Sequence, residues 1–89
     1  MSSDGAKLAK VFFQCLETYE ARSKEYGSSW RGRTGMMGVF AKIESKTDRL
    51  YEQVWKTRGN PPLNACDSAI DNIVFNGLMA ILIEEHASA

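Results

Sequence analysis

The chain has 89 residues, and its eleven Lys and Arg balance its eleven Asp and Glu, so the formal net charge is zero. That length sets the expectation of one domain over residues 1–89, with 1–4 as a frayed start, and an apolar share of 44% argues against disorder. A neutral chain excludes whole-molecule steering toward nucleic acid, so any anion site has to be a local cluster.

Cys15 and Cys66 lie far apart with no CxxC spacing, which reads as two reduced apolar helix residues rather than a disulfide framework. The single histidine, His86, suits a helix end better than a metal site. The N-terminal MSSDGAKLAK lacks the apolar core of a signal peptide, and the apolar run Ile73–Ile83 is shorter than the roughly 20 residues that span a bilayer. The expected location is the cytoplasm.

Leu8, Phe12, Cys15, Leu16 and Tyr19 recur three and four apart, predicting a first helix from Gly5 to Lys24 with Asp4 as its cap. The segment Tyr26–Gly35, YGSSWRGRTG, reads as a loop, and it carries Tyr26, Trp30, Arg31 and Arg33. A second helix is predicted from Met36 to Thr57, with Met36, Phe40, Ile43, Thr47, Leu50 and Val54 as its packing seam. Gly59 and Pro61-Pro62 end it, with Gly59 expected just past the helix end, and Asn64 is placed to cap a third helix, Ala65–Glu85. The later half of that helix is apolar almost all round, and Gly77 lets another helix approach closely. Two other helices cannot cover such a surface, so a second copy of the chain is the expected partner. The expected class is all-α, a three-helix protomer forming a helical bundle in an oligomer.

Lys42, Lys46 and Arg49 stack on one face of the second helix, either as a phosphate clamp or as a solvated stripe. The glycine-rich loop can bring backbone N–H groups to a phosphate, with Arg31, Arg33 and Thr34 at the start of the second helix. Trp30 and Tyr26 either stack on a base or, for Trp30, cap the bundle end. Asp67 and Asp71 share a face toward packed surface; they read as Mg²⁺ ligands or as ion-pair partners of Lys46 or Arg49. Glu17 and Glu20, and Glu44 and Asp48, read as surface acids.

Taken in order, Tyr26, Gly27, Trp30 and Arg31, then Lys46, Arg49 and Leu50, then Asp67, Asp71, Ile73 and Phe75 form a series over Tyr19–Ile83. That series resembles the nucleotide modification associated domain 1 family of the MazG-like all-alpha nucleoside triphosphate pyrophosphohydrolases, many of them from phages and bacteria. The resemblance implies a helical-bundle oligomer, often with sites between subunits, and Mg²⁺-dependent release of pyrophosphate from a nucleoside triphosphate. Leu63 stands where related sequences often have an acid, and the segment KIESKTDRL holds only Glu44 and Asp48. The cationic set therefore matches the family better than the acidic one. The reading is a nucleotide-binding domain whose phosphates meet Tyr26, Trp30, Arg31, Lys46 and Arg49, with Asp67 and Asp71 as metal residues. The alternatives are an active pyrophosphohydrolase and a ligand-free interaction module. Neither a membrane nor a nucleic acid is expected as partner.

Overall fold

The computed structural model describes residues 1–27, 29–31 and 35–88, apart from the side chains of Tyr26 and Ser29. It holds three α-helices and, among the described residues, no strand: α1 (Ser3–Tyr26), α2 (Gly35–Leu50) and α3 (Ala65–Ser88). The chain is all-α. A 3₁₀ turn, Ser29–Arg31, lies between α1 and α2, and a π-helical turn, Tyr51–Trp55, extends α2.

The cap of α1 is Ser2, not Asp4: the Gly5 N–H donates to Ser2 Oγ at 3.0 Å. Residues 3 and 4 are therefore helical rather than frayed. Asp4 sits in the first turn, where a carboxylate favours the positive end of the helix dipole. At the other end Gly27 takes φ 62° and its N–H closes on the Ser23 carbonyl at 2.8 Å. The face of α1 turned inward is Val11, Cys15, Thr18, Tyr19 and Ser23. Leu8, Phe12 and Leu16, expected in the core, are each about half exposed at 51%, 52% and 54%.

The seam of α2 also differs from the expected one. The covered residues are Met36, Val39, Ile43, Lys46, Leu50 and Gln53, alternating three and four apart, while Phe40, Thr47 and Val54 are exposed. Both series share Met36, Ile43 and Leu50; the alternate positions have moved back by one residue. The physical reason is Lys46, whose ammonium reaches a buried carboxylate on α3 and carries its own face of the helix inward. The polar edge of the same seam is tied by Asn72, whose Nδ2 donates to Thr47 Oγ1 at 3.2 Å.

After Leu50 the helix widens, and the Lys56 N–H donates to the Tyr51 carbonyl at 3.1 Å. Then Arg58 donates to the Trp55 carbonyl at 3.0 Å and Gly59 to the Val54 carbonyl at 2.9 Å. That double closure is a Schellman motif with Arg58, not Gly59, in the left-handed position just past the helix, at φ 57°. Gly59 follows with φ 78°.

The third helix begins where expected and runs three residues further, to Ser88. Taken whole it is long and apolar enough to cross a membrane by length and composition, although Ile73–Ile83 alone is not. Core helices of soluble bundles share that property, and α3 carries a buried Asp71 paired to both other helices. Its buried residues are Ala65, Ser68, Ile70, Asp71 and Leu78. Gly77 is exposed, and among the described residues no atom lies within 4 Å of where a Cβ would stand, so no other described helix packs against it.

Coverage within the chain is thin. The accessible surface is 6878 Å², whereas a compact monomer of 9.9 kDa exposes about 5,200 Å². The radius of gyration is 14.6 Å, against about 12 Å for a compact domain of this length.

Candidate functional site

A single carboxylate joins all three helices. Asp71 Oδ2 accepts from Lys46 Nζ of α2 at 3.0 Å, and Oδ1 from Arg22 Nη2 of α1 at 3.2 Å. The Asp71 side chain is only 12% exposed. A carboxylate that deep needs partners, and two cations on opposite oxygens satisfy it. Of the two sequence readings of Asp71, the ion pair is the one this geometry carries. Lys46, expected on phosphate, is committed to holding the bundle. Arg49 is exposed and in no ion pair among the described residues, one turn from Lys46 on the outer surface. Asp67 is exposed.

Both oxygens of Asp71 face cations, and no group of three His, Cys, Asp or Glu side chains comes together among the described residues.

What α1 and α3 leave between them is a groove divided by an aromatic pair. Trp30, on the 3₁₀ turn, donates Nε1–H to the Tyr19 hydroxyl at 3.0 Å. The Arg31 guanidinium stacks over the Trp30 ring at 4.6 Å and bonds Glu85 in the last turn of α3, Nη1 to Oε2, at 2.7 Å. That bond raises the Arg31 pKa above its usual value and holds the Glu85 carboxyl below the ordinary carboxylate range. Trp30 is thus fixed on one edge by α1 and on one face by an arginine anchored to α3. Arg31, expected on phosphate, serves here as that anchor.

The two sides of the aromatic pair share the apolar residues Val74 and Leu78 and differ in the charged side chains at their edges. On one side a cavity of about 430 Å³ is walled by Cys15, Leu16, Ile73, Val74, Leu78 and Ile81, with Glu20 and Arg31 also lining it. Burial pushes the Cys15 thiol pKa up, and its Sγ rests near the Ile70 carbonyl, 4.0 Å away. Cys15 and Cys66 are both free thiols. On the other side a cavity of about 500 Å³ has Val74, Phe75, Leu78 and the same aromatic pair as its apolar wall, with Thr18, Ser23, Gly27, Arg22 and Lys42 along its polar edge. Thr18 and Ser23 donate their hydroxyls to helix carbonyls, Gln14 and Glu20. The anion-binding capacity therefore rests on Arg22, which keeps guanidinium donors beyond the one on Asp71, and on Lys42, which is in no ion pair among the described residues.

Of the residues singled out from sequence, the structure brings Trp30 into this groove, with Arg31 at its rim. Lys46 and Asp71 lie together but outside it, Arg49 is elsewhere on the surface, and the side chain of Tyr26, with Arg33 and Thr34, falls outside the described residues. Sequence reasoning missed Tyr19 and Arg22 as site residues and treated Lys42 only as one of a stripe. The signal that could have found them was Arg22 three residues after Tyr19, which places a cation beside an aromatic on one helix face.

No family model matches the chain, and no curated protein or solved structure does either.

Proposed function

We propose that this chain is a nucleotide-binding domain that works as a homo-oligomer in the cytoplasm. The observation that carries the reading is the α1–α3 groove: an aromatic wall, Tyr19 and Trp30, with Arg22 and Lys42 on one side and an apolar cavity on the other. A nucleotide has the matching parts. Its phosphates suit the cationic chamber, and its base suits the ring wall and the apolar chamber. The sequence resemblance to MazG-like nucleotide enzymes points to the same ligand class.

The test is binding of a panel of nucleoside mono-, di- and triphosphates to the wild type and to Lys42→Ala. Removing one charge-assisted hydrogen bond should weaken the best ligand by roughly tenfold to a hundredfold, with melting temperature unchanged because Lys42 is exposed and holds no ion pair among the described residues. Equal affinity in the variant would sink the assignment of the groove. The resemblance also implies a Mg²⁺-dependent pyrophosphohydrolase; pyrophosphate release on adding magnesium would decide for that reading.

A protein-interaction module has an observation of its own, the outward stripe Leu8, Phe12 and Leu16 on α1. Continuous with Leu16 and Ile81 of the apolar chamber, it supports self-association through α1 together with α3.

A further inference from the structure

A second aromatic and cationic cluster lies on α2, on residues not used by the groove. The π-helical turn and the Schellman closure after it create an open cleft of about 710 Å³ lined by Tyr51, Val54, Trp55, Lys56, Arg58 and Gly59. Trp55 is 72% exposed and Tyr51 50%. Two large rings standing in water forgo the burial that usually places such residues. Lys56 sits 5.7 Å from the centre of the Tyr51 ring and pairs with Glu52 at 2.9 Å. Arg58 is in no ion pair among the described residues. It also occupies the left-handed backbone position that glycine takes at lower cost, although a glycine is the very next residue. Helices widened to a π-turn and side chains held in such backbone positions concentrate at binding sites.

We propose that this cleft binds single-stranded nucleic acid, with a base on Trp55 and Tyr51 and the neighbouring phosphate on Arg58 and Lys56. The chemistry is that of a stacking platform edged by cations: every base has a π-face, and the backbone supplies the negative charge. The two rings favour a strand over a free nucleotide, because a strand can lay successive bases on Tyr51 and Trp55 whereas a free nucleotide offers one base. Arg58 is the first cation for the phosphate, since Lys56 is already paired with Glu52. Whole-chain neutrality is no obstacle, since the cations needed are local.

The experiment titrates the full-length chain into a short fluorescein-labelled oligothymidylate at low salt, with thymidine monophosphate and anionic phosphatidylserine vesicles as parallel probes. Trp55→Ala should weaken the oligonucleotide by about fivefold to a hundredfold, the range expected when one stacked base is deprived of its ring. Arg58→Gly should weaken it as well, and should lower the magnitude of the log-log salt slope by about 0.7. This second variant keeps the backbone in a conformation glycine prefers, so weaker binding by it cannot be put down to unfolding. Nucleotide binding in the α1–α3 groove should be unchanged in Trp55→Ala, which separates the two sites. The proposal is overturned if the wild type binds no oligonucleotide at low salt, if both variants bind as the wild type does, or if only vesicles or only the mononucleotide bind.

Discussion

Asp71 concentrates the charge chemistry of the bundle in one side chain. Lys46 and Arg22 approach opposite oxygens, so removing either cation leaves a mostly buried carboxylate with half its compensation. Lys46→Ala should cost about 1–3 kcal/mol, below the full penalty of an orphaned buried charge because Arg22 remains. Arg49→Ala, one turn away and exposed, should stay within about 0.5 kcal/mol. Thermal melts of the two variants side by side check this; equal melting temperatures would show that the Asp71 network holds nothing together. Arg58 is the opposite case. Its left-handed backbone strains the helix end, and Arg58→Gly should stabilise by about 1 kcal/mol, roughly 4–8 °C in a domain of this size. Among the thiols, burial of Cys15 raises its pKa and hides its sulfur. Alkylation of the native protein should therefore mark exposed Cys66 rapidly and Cys15 only as the bundle opens.

At the scale of elements, the 3₁₀ turn is held to α3 by the Arg31–Glu85 ion pair, and its pH response follows from the direction of each shift. Glu85 is depressed, so its contribution is present above its unfolded pKa and is lost as pH falls through its folded pKa, below the ordinary carboxylate range. Arg31 is raised, so its contribution is complete below its unfolded pKa and does not change at neutral or acid pH. Acidification to below the ordinary carboxylate range should release the turn and change the emission of Trp30, read in a Trp55→Phe background. In Glu85→Gln that change should already be present at neutral pH. A Trp30 signal that ignores both acid and Glu85→Gln would remove the ion pair from any role in setting the groove.

At the scale of the whole molecule, the surplus of exposed surface, about 1,700 Å² over a compact monomer, is roughly twice what each partner gives to a standard interface. Leu8, Phe12 and Leu16 lie along one side of α1, and Ile81 and Ile83 are exposed toward the end of α3. Phe12→Asp should lower the oligomeric state in sedimentation at micromolar concentration; a wild type that sediments as a monomer would end the self-association reading. Gly77→Ala gives an independent check. Among the described residues no atom lies within 4 Å of the added methyl, so an isolated chain should gain about 0.5–1 kcal/mol from the better helix former. If a second copy packs against Gly77, the same change should instead weaken association.

Helix number, order and turn positions were written in local chemistry: two periodic runs and a long apolar one, a glycine-rich break, and a proline pair that no helix continues through. Which face each helix turns inward was not. In α2, Phe40 and Val54 look more like core residues than Lys46, and apolar spacing alone selects them. Lys46 wins its inward place only because Asp71, 25 residues later, is there to receive it. The candidate site divides in the same way. Trp30 announced itself as an aromatic in a loop, but Tyr19, Arg22 and Lys42 become one cavity only when α1, α2 and the turn are brought together. The cations of the second helix looked alike in sequence; tertiary packing committed Lys46 to a carboxylate and left Lys42 facing the groove, because burial makes a charge seek its opposite while exposure leaves it available to a ligand.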